Sequence, residues 1–265
     1  MTAHRPSRAA ESSVSAPSPL DARGWACIDF ISDLHLCEPQ PRTFEAWRRY
    51  METTPAQALF ILGDLFEVWV GDDVLDDPAS TFERNCADVL RCAAERMAVH
   101  FMRGNRDFLT GDTLMQRTGM RALDDPTLLQ LDGIRVVLSH GDAWCLDDHD
   151  YLAFRAEVRS SAWQQAFLAR PVSERLALAR EMRNASESRK RSHAPYADVD
   201  DALATAWLTA CEAQMLVHGH THRPNTHPLP SGHTRWVLSD WDADVSPARQ
   251  QVLRWQGGWQ RIDVR

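Results

Sequence analysis

The chain's 265 residues exceed the ~100–200 usual for one domain, so one large domain, or one domain with an insertion, is expected. A hydrophobic share of 44% with 25% charged residues matches ordinary globular usage and excludes a disordered, collagenous or membrane-embedded protein. Lys+Arg 29 against Asp+Glu 37 leaves a net charge of −8, so no global positive field exists to hold nucleic acid, and any contact with an anionic bilayer must be local.

Met1 to Arg23 is rich in Ser, Pro, Ala and Arg with almost no apolar periodicity, which leaves little to offset ordering entropy. Residues 1–24 are therefore expected to be a disordered tail and 25–265 the folded domain. Trp25 to Ser32 reads as a buried strand that stops at Asp33-Leu34-His35. A helix over Thr43–Glu52 precedes a strand over Ala58–Leu62, which runs into Gly63-Asp64. A helix from about Thr81 to Met97 leads to the strand Ala98–Met102, followed by Gly104-Asn105-Arg106-Asp107. Asp132-Gly133 is a two-residue turn signal, so Leu128–Leu131 and Ile134–Leu138 form a hairpin that enters Ser139-His140-Gly141-Asp142.

Residues 147–211 carry helical spacing and no strand signal, and are expected to be a helical lid inserted over the strand ends. Met215–Val217 is the next strand, ending in His218-Gly219-His220-Thr221-His222, and Trp236–Leu238, Gln251–Leu253 and Trp259–Val264 close the chain as strands. Strands alternating with helices indicate a layered α/β architecture. The six cysteines show neither zinc-ribbon nor disulfide-scaffold spacing, and are expected to be reduced thiols of a cytoplasmic protein. No stretch approaches the ~20 apolar residues of a membrane span.

Asp33, His35, Asp64, Asn105, His140, His218 and His220 all fall at strand ends. Alternation along an extended backbone turns Asp33 and His35 the same way, and likewise His218 and His220. Carboxylates, an amide and imidazoles converging on one edge describe a two-metal site. A lone Asp-x-His or Gly-Asp is usually loop chemistry. Five such blocks in order are not.

These blocks resemble the calcineurin-like metallophosphoesterase pattern from about Ile28 to Asp240. The finer wording, Ile31-Ser-Asp-Leu-His-Leu36, Gly63-Asp-Leu-Phe-Glu-Val-Trp69 with Gly71-Asp-Asp73, Gly104-Asn-Arg-Asp-Phe108 and His218-Gly-His-Thr-His-Arg-Pro224, resembles the UDP-2,3-diacylglucosamine pyrophosphohydrolase branch. The resemblance implies a metallophosphoesterase β-sandwich flanked by helices, and an activity that cleaves an acylated UDP-sugar to UMP and lipid X in lipid A biosynthesis. It implies Asp33, His35, Asp64 and His220 on one metal, with Asp64 bridging to a second held by Asn105, His140 and His218. The ions would be two Mn(II), iron or another divalent metal fitting less well, and would activate water for attack on phosphorus.

Arg106, beside Asn105, is placed to meet the pyrophosphate as a catalytic cation, and Asn105 and His218 are implied to touch substrate as well. In the lid the resemblance implies contacts from Asp148 and Ser186. Lys190 and His193 stand where the family pattern carries Asn and Lys. Leu152, Phe154, Trp163, Phe167, Leu168, Leu176, Leu178 and Met182 are candidates for an acyl groove, although a helical hairpin needs an apolar face simply to fold.

Arg180, Arg183, Arg189, Lys190 and Arg191 form the densest basic stretch, suited to transient, peripheral contact with the cytoplasmic face of the inner membrane. Nothing marks an obligate protein partner. A phosphoesterase of the same fold acting on nucleotides or other phosphodiesters would keep the metal site without needing the apolar insertion. A metal-free scaffold would have no physical reason to retain all seven ligands.

Overall fold

The computed structural model describes residues 14–191 and 197–264, with side chains described outside 184–191. In chain order the elements are β1 (Leu20–Asp21), β2 (Ile28–Ile31), α1 (Pro41–Thr53), β3 (Ala58–Leu62), α2 (Thr81–Ala94), β4 (Ala98–Met102), α3 (Asp112–Thr118), β5 (Arg121–Leu123), β6 (Thr127–Gln130) and β7 (Arg135–Ser139). There follow α4 (His149–Val158), α5 (Ser161–Leu168), α6 (Val172–Arg191), α7 (Asp201–Ala210), β8 (Met215–His218), β9 (Asn225–Pro228), β10 (Thr234–Val237), β11 (Gln251–Trp255) and β12 (Trp259–Asp263).

Two six-stranded mixed sheets are formed, one ordered β1-β6-β7-β8-β10-β9 and the other β12-β11-β2-β3-β4-β5. Their facing surfaces interdigitate through Ile28, Phe30, Phe60, Leu129, Val136, Leu138 and Val217. The outer face of the second sheet, with Ile31, Leu59, Ile61, Val99 and Phe101, is covered by α1, α2 and α3. On the first sheet, Leu128, Val137 and Leu216 pack against Ala204 and Leu208 of α7. Strands buried on both faces read as continuous apolar runs, which is why β2, β3 and β4 are legible in the sequence. This is the layered α/β sandwich expected.

Three differences are informative. The sandwich includes residues ahead of Trp25, because Leu20 and Asp21 pair in parallel with Leu129 and Gln130 and Ala22 is buried against the sandwich interior. Helix α3 escapes sequence reading because its cap comes from afar: the Asp72 carboxylate accepts from Gly111 N at 2.9 Å and Leu114 N at 2.8 Å. Strand β9 is mostly exposed, so it lacks the apolar signal of the others.

For the site, the important pairing is parallel: β2 with β3, β3 with β4, and β7 with β8. Parallel strands finish on the same edge, so their following loops meet in one crevice.

Candidate metal centre

Each loop carries one or two of the candidate ligands. Asp33 and His35 follow β2, Asp64 follows β3, Asn105 follows β4, His140 follows β7, and His220 and His222 follow β8. The loops are laced by main-chain bonds, Asp33 N to Gly63 O at 3.1 Å, His35 N to Asp64 O at 3.0 Å and Gly219 N to His140 O at 3.0 Å. His140 Nδ1 lies 2.8 Å from Leu62 O, which ties one sheet to the other at the crevice.

Non-glycine residues with positive φ are uncommon. Among the described residues there are six, and Asp33 (53°), His35 (49°), Asp64 (53°), His220 (64°) and His222 (50°) are five of them. Such strain, of order 1–3 kcal/mol each, persists only where surrounding structure enforces it. Enforcement here comes from the main-chain bonds between the loops, and neighbouring glycines leave the room that the close packing needs. A Cβ on Gly104 would sit 2.1 Å from Asp64 Oδ1, and one on Gly219 would sit 2.3 Å from Asp33 Oδ2.

Asp107, fully buried, fastens two loops together by accepting from Gly104 N at 2.7 Å, Leu65 N at 2.7 Å and Asp64 N at 3.3 Å.

Side chains of Asp33, His35 and His222 form one group whose ligand atoms lie within 4.8 Å of one another, and Asp33, Asp64 and His140 form a second. Asp64 Oδ2 lies 3.9 Å from His35 Nε2, while its Oδ1 lies 3.7 Å from His140 Nε2. Each oxygen thus faces one half of the centre, the disposition of a bridging carboxylate. Asn105 Oδ1 sits between His140 Nε2 at 2.9 Å and His220 Nδ1 at 2.8 Å.

His222 is the residue that sequence reasoning passed over. Its Nε2 is 3.3 Å from both Asp33 Oδ1 and His35 Nε2. His218, by contrast, is the last residue of β8, and its ring is turned away. Its Nδ1 is engaged with Gly219 O at 2.8 Å and its Nε2 lies 3.3 Å from the Arg235 guanidinium. Burial, and then that guanidinium, push the imidazole down to about 4. The structure thus brings His220 and His222 to the cluster, where the sequence pointed to His218 and His220. Three histidines at alternate positions were visible, but which two leave the sheet depends on a strand ending one residue later than expected.

The donor set fits divalent cations. Asp33 Oδ1 is buried without a well-formed hydrogen bond, an expensive state for a carboxylate oxygen. Burial alone would raise the Asp33 carboxyl, yet the imidazoles of His222, His140 and His35 hold it below the usual range. His140 shows the reverse side of that field. Burial lowers it, but Asp64, Asp142 and Asp33 outweigh burial and raise it to about 9. A fully buried imidazole driven to keep a proton marks a cavity with excess negative charge, and oxygen plus imidazole donors suit manganese, iron or zinc better than a thiolate-selected metal. Among the described residues, no cysteine joins either group.

Around this centre helices α4 to α6 are held by a few arginines. Asp142 accepts from the Tyr151 hydroxyl and from Arg155 Nε at 2.7 Å. Arg159 NH2 donates to Gly104 O at 2.9 Å, and the Tyr151 ring lies 5.9 Å from that of His220. Arg175, buried in α6, donates to Val70 O and Asp73 Oδ2. Arg106 stands at the rim, its NH1 3.6 Å from Glu67 Oε1.

Asp148 is occupied as the N-cap of α4, accepting from Tyr151 N at 3.1 Å. The side chains of Ser186 and Lys190, and His193 altogether, lie outside the described residues. Of the acyl-groove candidates, Phe167 is buried in the core, and Trp163, Leu176 and Leu178 pack against that core. Phe154, Leu168 and Met182 remain exposed.

The family model of calcineurin-like phosphoesterases matches residues 28–224, and the chain belongs to that family, whose members carry a divalent dimetal centre. The UDP-2,3-diacylglucosamine hydrolase of Ralstonia nicotianae is 43% identical over 244 residues, which cover 87% of this chain and 90% of that relative. That of Aromatoleum aromaticum is 42% identical over 245 residues, covering 89% and 96% respectively. The Chromobacterium violaceum enzyme is 45% identical over 223 residues, covering 81% and 90%.

Proposed function

We propose that this chain is a metal-dependent pyrophosphohydrolase that cleaves UDP-2,3-diacylglucosamine to UMP and 2,3-diacylglucosamine 1-phosphate, a step of lipid A biosynthesis. The observation that carries this reading is a donor cluster at the strand ends, buried at Asp33, Asp64 and His140 and open to solvent at His222, set within a chain that matches UDP-2,3-diacylglucosamine hydrolases over most of its length. Asp33, His35, Asp64 and His222 would hold one ion, and Asp64, Asn105, His140 and His220 the other, with Mn(II) as the metal. When bound, the pair supplies Lewis acidity toward the phosphoryl oxygens and acidifies water.

The chain's own groups do the rest. Arg106 sets a cation at the rim for the diphosphate, where its fork matches phosphoryl geometry. Asp107 and the main-chain bonds between the loops hold the ligand loops in their strained conformations, and the glycines leave room for that packing. The lid, residues 147–211 of a single domain, covers the sugar and acyl chains, with Phe154, Leu168 and Met182 as its exposed apolar contacts. Among the described residues no helix is long and apolar enough to cross a membrane. The basic stretch of α6 suits reversible contact of a cytoplasmic enzyme with the inner leaflet.

The test is to strip the protein of metal, resupply Mn(II), and offer the diacylated UDP-sugar beside plain nucleotides and a small phosphodiester. Release of UMP and the acylated sugar phosphate is expected, with KM rising steeply as acyl chains shorten, because each buried methylene contributes ~0.8 kcal/mol. Leu168→Asp should weaken the long-chain substrate and spare the small diester. Preference for a nucleotide, or indifference to chain length, would leave a generic phosphoesterase as the better description.

A further inference from the structure

Glu67, three residues after Asp64, has no role in the function proposed so far, although three cationic or titratable groups converge on it. It is 8% exposed. Its Oε2 lies 2.8 Å from His35 Nδ1, an ion-pair contact off the ring's N–H axis, and its Oε1 lies 2.9 Å from Arg183 Nε and 3.6 Å from Arg106 NH1. The other nitrogen of His35 faces Asp33 Oδ1 at 4.0 Å and Asp64 Oδ2 at 3.9 Å. One carboxylate therefore touches the outer side of a candidate ligand, the rim arginine, and a lid helix that enters from more than a hundred residues downstream.

The two oxygens do different work. An imidazole binds a metal through one nitrogen only if the proton sits on the other, and a carboxylate against that other nitrogen fixes the tautomer, orients the ring and raises its basicity. Oε2 is placed for this. Oε1 neutralises two guanidinium groups that would otherwise repel each other at the crevice mouth. Arg183 is the last residue of α6 whose side chain is described, so Oε1 ties the far part of the lid helix to the loop that follows Asp64.

We infer that Glu67 is a positioning residue with two separable functions: through Oε2 it orients His35 for the metal, and through Oε1 it latches lid helix α6 over the centre by Arg183. The first function rests on the metal-centre reading above. The second does not require any particular substrate.

Two variants separate them. Glu67→Gln keeps an amide oxygen that can accept from His35 Nδ1–H but loses the charge that holds the arginines. Glu67→Ala loses both. Mn(II) alone is titrated into each metal-stripped protein and free Mn(II) followed by electron paramagnetic resonance, and amide hydrogen exchange across 172–183 is measured without substrate. Glu67→Ala is expected to bind Mn(II) about 10–100-fold more weakly, the range for loss of an outer-shell partner, while Glu67→Gln recovers wild-type affinity. Both variants should exchange faster over α6, with β3 and β4 unaltered.

Wild-type Mn(II) affinity in Glu67→Ala would overturn the orienting function. Unchanged α6 exchange in Glu67→Gln would overturn the latch. Weakened Mn(II) binding in both, with equally faster exchange in β3, would show that Glu67 only supports the fold. Because neither readout uses the acylated UDP-sugar, failure of the substrate assignment and failure of this inference remain distinguishable.

Discussion

The strand-end loops and helices α4 to α6, the lid of the proposed function, meet at one crevice, but they are held by opposite means. The loops are buried, locked by main-chain bonds, by the Asp107 carboxylate and by glycines that leave no room for a Cβ. The lid helices bury few side chains and leave Phe154, Leu168 and Met182 exposed. Point attachments through Arg155, Arg159, Arg175 and Arg183 secure them instead. Chemistry at phosphorus requires fixed ligands, because a displacement of about 1 Å can cost ~10²-fold. Binding of a long flexible substrate requires a cover that can open, and segments with few buried contacts are the ones that open.

That contrast can be broken first at the bridging carboxylate. Asp64→Ala should abolish turnover and lower bound metal more than loss of any other ligand, read by activity and metal analysis on the same preparation, because Asp64 faces both halves of the centre. Retained metal and activity would remove the dinuclear assignment. Next comes the seam between the regions. Arg106→Ala should leave metal content intact and lower kcat/KM by about 10²–10³-fold, the effect of one donor aimed at developing phosphoryl charge.

A purely geometric break follows. Gly104→Ala adds a methyl that would sit 2.1 Å from Asp64 Oδ1, and kcat should fall ~10²-fold without faster exchange in the lid.

The lid is tested separately by Arg175→Met. Removing the buried guanidinium leaves Val70 O without its partner, at a cost of about 1–3 kcal/mol. Hydrogen exchange should accelerate in α5 and α6 while metal content holds. Loss of metal in that variant would mean the two regions are not independent.

A pH-dependent effect, confined to one core side chain and silent near neutral pH, sharpens the comparison inside the rigid half. His100 on β4 stacks on Phe60 at 4.8 Å with neither ring nitrogen hydrogen-bonded. Burial, then the charge of Arg121, lower it to about 4. Its unfolded value is about 6.5, so between those values the unfolded chain binds the extra proton and stability falls as pH falls. His100→Phe should remove this slope, gaining about 2–3 kcal/mol relative to the wild type between pH 7 and 4, as read from denaturation midpoints at both pH values. Parallel pH profiles for the two proteins would contradict a neutral core histidine.

Much of this was legible in the sequence because it is local. Continuous apolar runs mark doubly buried strands, Asp132-Gly133 marks a turn, and Asp, Asn and His recur where those runs stop. Such signals need only neighbouring residues. What tertiary structure alone decided depends on residues far apart in the chain. Asp72 caps α3 across 39 positions, and Asp244 accepts from Thr43 N at the start of α1 across 201.

The choice of His222 over His218 is of the same kind. Residue type and spacing allow either, but the end of β8 and the left-handed backbone at His220 and His222 determine which rings enter the crevice. The lid's apolar residues were equally ambiguous, since periodicity shows that a helix has an apolar face and not what covers it. Only docking onto the core separated Phe167, which packs inside, from Leu168 beside it, which does not.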